Sequence, residues 1–162
     1  MTRNRIVPVV LTLFVSFVFI QSLFFKFTDS VETQYIFNTL DDWGASLGFA
    51  GLFGHGGIFS QYVVGSAELI ASSLLLLGLT RQLRILRPIG ALLGLGVISG
   101  AIFFHLFTPL GVAVPNADGS SDGGLLFGLA CAVFASNLLL LAGSRDLLFG
   151  LVGPAAPRPA VA

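Results

Sequence analysis

Three side chains in an otherwise apolar chain are placed to do acid–base work. Glu68 is the sole charged residue in the stretch 59–79, FSQYVVGSAELIASSLLLLGL, Lys26 closes the first apolar run, and His105 lies near the end of the third. A carboxylate, an ammonium and an imidazole can pair with one another and can hand on protons. The stretch around Glu68 is long enough to cross a bilayer, where an ionisable side chain is costly. Glu68 is therefore expected to face a bundle interior, a partner or a wet cavity. Counting at ~1.5 Å per residue from the flanking arginines puts Glu68 roughly 20 Å, His105 roughly 27 Å and Lys26 roughly 31 Å above one membrane boundary. All three fall in the outer half, with Glu68 deepest. A lysine stem reaching down toward Glu68 lowers the cost of both charges. Taken singly, Lys26 reads as an interfacial snorkeller and His105 as a group that can simply bond a loop. Depth alone marks Glu68 for a functional or structure-specifying role.

Helical spacing places Gly65, Glu68 and Ser72 on one face and Gly94, Ala101 and His105 on another, both expected to point inward. Asn137 and Gln21 are expected to donate hydrogen bonds between helices. Cys131 reads as a small buried hydrophobe, and His55, in GHGG, as a solvated loop residue. One cysteine excludes an intramolecular disulfide, a CxxC redox pair and a thiolate metal site. His55, His105, Asp118 and Asp122 match no metal-ligand spacing, so no metal is expected. A haem pair is not expected either, because His55 lies in a loop.

These groups need a frame. The 162 residues are 55% hydrophobic and 10% charged, with mean hydropathy +0.94. Soluble domains carry about 25% charged residues, so the chain reads as an integral membrane protein. No basic run suggests nucleic acid as a partner. Apolar runs at Ile6–Phe27, 59–79, 89–108 and 123–142 read as four spans. The first has the charged start of a signal peptide, but its apolar core is too long and no small-residue cleavage site follows, so it is expected to be retained. Val31, Tyr35, Ile36, Leu40 and Trp43 predict a short amphipathic helix at the interface between spans one and two. The glycine-rich stretch 48–57 predicts a loop or a broken re-entrant segment. Pro88 suits the start of the third span, Ser and Asp in SSDGG cap the fourth, and a disordered tail is expected over 153–162. Pairs of small residues four apart, Gly90/Gly94, Gly96/Gly100 and Gly124/Gly128/Ala132/Ser136, predict close helix packing.

Zero net charge hides a segregation. Arg3, Arg5, Arg81, Arg84, Arg87, Arg145 and Arg158 fall on one side of the four spans. Lys26 is alone on the other, with Asp29, Glu32, Asp41, Asp42, Asp118 and Asp122. The expectation is an all-α, polytopic membrane four-helix bundle (residues 1–152) with an extracytoplasmic amphipathic helix and both termini cytoplasmic.

The segments FFKF, GSAELIASSLLLLGLTR, FFHLFTP and DGGLLF together resemble the DoxX and DoxX-like family of small four-helix membrane proteins, over roughly 14–141. The resemblance implies a four-helix bundle in which Lys26, Glu68 and His105 are recurring polar positions. The family takes its name from a subunit of a thiosulfate:quinone oxidoreductase, and other members are linked to redox or oxidative-stress complexes. An inner-membrane, quinone-associated or accessory subunit of a redox system is therefore expected. On that reading Glu68 exchanges a proton with a quinone oxygen, and His105 or Lys26 relays it outward. Phe24, Phe25, Phe103 and Phe104 surround the quinone head, with Ser72 beside Glu68. The chain has no cysteine pair, haem-ligand pair or flavin motif, so redox chemistry by this polypeptide alone is not expected. One rival is an assembly protein in which the polar cluster is an internal clamp and an outer surface recruits a membrane or redox partner, or a second copy. The other is a small-solute or proton-coupled carrier, disfavoured by four spans without an inverted repeat.

Overall fold

A run of apolar residues between charged ends makes a helix by default when water cannot reach its backbone, and α1 (Ile6–Phe27) covers the expected run from end to end. The computed structural model describes residues 6–147. Arg3, Arg5, Arg158 and the tail 153–162 lie outside the described residues. Four more helices follow: α2 (Val31–Ser46), α3 (Gln61–Leu77), α4 (Leu86–Phe107) and α5 (Leu125–Gly143). Three of the five, α1, α4 and α5, are long and apolar enough to cross a membrane. The helix bearing Glu68 is shorter than the stretch predicted for it. Ser60 caps α3 by accepting from the Val63 amide, and the chain leaves the helix at Gly78. Its 17 residues span roughly 25 Å. α4 starts three residues earlier than expected, with Pro88 inside its first turn, where the missing amide costs nothing.

α1 packs on α3, α3 on α4, α4 on α5, and α5 back on α1. The four apolar helices thus close a ring, with α1 and α4 across one diagonal and α3 and α5 across the other. Val15, Phe19, Ala71, Leu75, Ala91, Ile98, Val133 and Leu140 fill its centre. Outside, Phe17 is 66%, Leu92 59% and Leu139 59% exposed, a surface suited to lipid tails. One predicted glycine stripe on α4 makes the ring contact and the other does not. Cβ atoms added at Gly90 and Gly94 would meet neighbouring helices, whereas at Gly96 nothing lies within 4 Å. Gly128 also meets nothing, and Ala132 is exposed. The face that α5 buries is Ala130, Val133, Ser136, Asn137 and Leu140. Cys131, off that face, is exposed rather than buried.

A lid covers one end of the ring. Leu40, Phe53, Leu110 and Val114 are its buried centre, with Trp43 and Phe104 packed against them. The glycine-rich stretch is an ordered part of it, because Asp41 Oδ1 accepts from the amides of Phe53 (3.0 Å) and Gly54 (3.1 Å). Asp122 fastens the other loop. Oδ1 accepts from Val114 (2.8 Å) and Gly124 (2.9 Å), and Oδ2 from Leu126 (3.0 Å) in the first turn of α5. Gly124, at φ 84°, takes the left-handed conformation this turn requires. Burial works against the Asp122 charge, but the three amides and the nearby His105 prevail and hold its carboxyl below the usual aspartate range. A carboxyl that binds its proton less tightly when folded stabilises the fold above its ordinary value of 3.8, and that contribution fades as pH falls through the lower folded value. Amides of Val114, Gly124 and Leu126 are therefore expected to lose hydrogen-exchange protection as pH drops below that value. Asp122→Asn should weaken their protection at neutral pH as well. Protection that stays flat across the acid range would contradict this role for Asp122.

Candidate functional site

Lys26 and Glu68, 42 residues apart in sequence, meet inside the ring. Lys26 Nζ lies 2.9 Å from Glu68 Oε2 and 3.1 Å from Oε1. Ser22, one helical turn before Lys26, donates to Oε2 at 2.7 Å and accepts from Lys26 Nζ at 3.2 Å. The Ser22 hydroxyl also lies 2.8 Å from the Phe19 carbonyl, so its single proton chooses between its own helix and the carboxylate. Glu68 is 6% exposed. Backbone spacing makes this geometry possible. Ser22 and Lys26 stand four apart on α1, and Gly65 stands one turn before Glu68 on α3. A Cβ at Gly65 would sit 3.5 Å from the Lys26 Cδ and from the Leu23 and Phe27 side chains, so the lysine stem runs along the gap that glycine leaves. Gln61 braces the same junction, donating to the Lys26 carbonyl (3.0 Å) and to Asp29 Oδ1 (2.9 Å). The first of these satisfies a terminal carbonyl of α1 that has no helical partner.

His105 sits apart from the pair. Its Nδ1 lies 2.6 Å from the Gly111 carbonyl, which can only accept, so Nδ1 carries the proton. Its ring stands edge-on to Phe127 at 5.7 Å, and its charge effect falls on Asp122. It thus belongs to the seat of the lid. The phenylalanines also separate. Phe25 is 40% exposed and pairs with Phe24 on α1, while Phe104 packs on Phe53 (5.2 Å), Trp43 and Phe103. α1 and α4 lie across the diagonal of the ring, and no ring contact joins the two pairs among the described residues. The four rings therefore form two separate pairs, one on α1 and one on α4, rather than one aromatic cluster.

Ser72 is fully buried one turn from Glu68, and its hydroxyl has no partner. Asn137 donates to Val133 of its own helix (3.1 Å) rather than to a neighbour, and its Oδ1 is unpartnered. Gln21 is exposed on the outside of α1, so it bonds no other helix. His55 is exposed and leans on Tyr62 at 5.7 Å. No group of three His, Cys, Asp or Glu side chains could hold a metal among the described residues. Sequence reasoning missed Ser22, although its i, i+4 relation to Lys26 was available as a signal.

Comparison with protein-family models, with curated proteins and with solved structures finds no match for this chain. The class follows from the helices themselves. With three helices long and apolar enough to span a membrane and an apolar outer surface, this is a helical, multi-pass membrane protein in contact with the lipid bilayer.

Proposed function

We propose that the chain is a DoxX-like protein of the cell inner membrane with four spans and both termini cytoplasmic, and that it serves as a non-catalytic accessory subunit of a membrane redox system. The orientation is supported by exposed Arg81 and Arg84 in the α3–α4 turn and by the acidic groups on the lid. α3 would cross the bilayer as the shortest of the four. The redox setting rests on the resemblance in FFKF, the stretch around Glu68, FFHLFTP and DGGLLF. The observation that carries the accessory role is the closed Lys26–Ser22–Glu68 network. Both carboxylate oxygens are bonded and the pair locks α1 to α3, which is what an internal clamp requires. No catalytic step is assigned to it. Lipid and a membrane or redox protein, or a second copy of the chain, are its partners.

Glu68→Gln separates this reading from a chemical one. An amide keeps hydrogen bonds to Ser22 and Lys26 but leaves the lysine without its counter-charge, which should destabilise the detergent-purified protein by about 1–3 kcal/mol. Redox turnover of the native membrane should then fall only as far as the amount of folded subunit falls. Unchanged melting together with abolished quinone-linked turnover would overturn the clamp and make Glu68 a reacting group.

A further inference from the structure

The core of the ring holds more polar atoms than its hydrogen bonds use. Thr12 and Ser16 on α1, Ser72 on α3, and Asn137 and Ser144 on the α5 side are each at most 2% exposed. Each keeps an oxygen with no partner. A buried orphan of this kind costs about 1–3 kcal/mol, so five together rival the whole stability of a domain. The usual relief for a hydroxyl in an apolar helix is the carbonyl four residues back. Ser73, Ser99 and Ser136 take it, at 2.8, 2.6 and 2.8 Å. Thr12, Ser16 and Ser72 do not.

These atoms form a descending series. Ser22 is level with Glu68 because they are bonded. Ser16 and Thr12 then lie roughly 9 and 15 Å below it along α1, and Ser72 roughly 6 Å below Glu68 along α3. Asn137 is placed by Gly94, whose Cβ would stand 3.0 Å from Phe19 and 3.3 Å from both amide atoms of Asn137. Ser144 follows seven residues further along the chain, roughly 10 Å lower. There it lines a cleft of about 260 Å³ with Val7, Pro8, Leu11 and Gly143, at the end opposite the lid. A water accepting and donating at ~2.8 Å bridges polar atoms about 5–6 Å apart, so one water suits the rise between Glu68 and Ser72 and the longer rises take two or more.

We propose that these five side chains hold a file of internal water running from the cleft at Ser144 to Glu68, and that protons travel along it to and from the carboxylate. As each water accepts a proton from the one below, it passes one to the water above. At the top, an O–H bond forms on a Glu68 oxygen and the ion pair with Lys26 becomes a hydrogen bond to a neutral acid. The reverse sequence restores the pair. No electrons change hands. The file opens toward the arginine end, while Lys26, Ser22 and the lid close the other, so Glu68 takes its protons from the arginine side. The inference stands on the orphaned atoms and the cleft, apart from the role proposed for the clamp.

Silver ion is the probe, because it is no wider than water and bonds a thiol only as the thiolate, so its capture reports water and a proton exit together. Ser16→Cys and Ser72→Cys, each in a Cys131→Ala background, would be reconstituted in vesicles and treated from one side at a time. Val15→Cys and Leu75→Cys, buried at similar depth among apolar side chains, serve as controls. Capture would be read as loss of later maleimide labelling in detergent, on protein shown by melting to be folded. Both test positions should react at least about tenfold faster than the controls, and faster from the arginine side. Rates equal to the controls, or faster capture from the lid side, would overturn the file.

Discussion

Lys26→Met should cost about 3–5 kcal/mol of stability, because it leaves the buried Glu68 carboxylate without its counter-charge and with Ser22 as its remaining side-chain partner. Methionine fills the channel along Gly65 that the lysine stem occupies, so lost packing contributes little and the effect reports the charge. The double replacement Lys26→Met with Glu68→Leu should recover most of the loss, since two matched apolar groups owe no desolvation. The two single variants and the double form a cycle, measured by thermal or denaturant unfolding in one detergent, whose coupling term isolates the pair. A clamp requires a large coupling. Additive losses, or a Lys26→Met protein that melts like wild type, would show that Lys26 bonds Glu68 without holding α1 to α3.

The second large effect falls on the α3–α4 seam. A Cβ at Gly90 would stand 2.8 Å from the Ala71 carbonyl oxygen and 2.9 Å from the Leu75 amide nitrogen and Leu74 Cβ. Two of those three are backbone atoms that cannot turn aside, so the helices themselves must part. Gly90→Val should therefore destabilise by at least about 1–3 kcal/mol. Gly96→Ala, where nothing lies within 4 Å, should be neutral or gain up to about 1 kcal/mol from helix propensity. Equal melting of the two variants would mean that α3 and α4 do not pack backbone to backbone at Gly90.

The contrast between those glycines shows what the chain discloses on reading. Small residues four apart say that some helix face can pack closely, and α4 carries two such faces. Which one meets α3 depends on the order of helices around the ring, which spacing does not encode. The aromatic residues make the same point. Phe25 and Phe104 both stand near the lid end of their helices, yet those helices lie across a diagonal. Counting rise from the flanking arginines set Lys26 roughly 11 Å above Glu68, so a lysine stem reaching down made the pair conceivable, while the order of helices around the ring decided that the two meet. His105 shared their outer position, but its imidazole could satisfy itself on a loop carbonyl, and Gly111 supplied one. Ser22 was passed over because a serine in an apolar run usually turns onto its own helix; its spacing of four from Lys26 was the one signal, and the facing carboxylate gives its proton a second acceptor. The amphipathic α2 was legible to within a few residues, since Ser30 caps it and its apolar positions recur at helical spacing.

The brevity of α3 has a consequence for the surrounding lipid. Its 17 residues fall roughly 5 Å short of a ~30 Å hydrocarbon layer, while α1 and α4, at 22 residues each, exceed it. With α3 crossing as one of four spans, as proposed above, the bilayer would thin beside it while the longer helices tilt to fit. The outward side of α3, with Val63, Leu69, Ile70 and Leu77, would then be the shallowest part of the perimeter. Lipid ordered against it would be relieved by any neighbour with an equally short helix, which would make hydrophobic mismatch a force for association along this one flank.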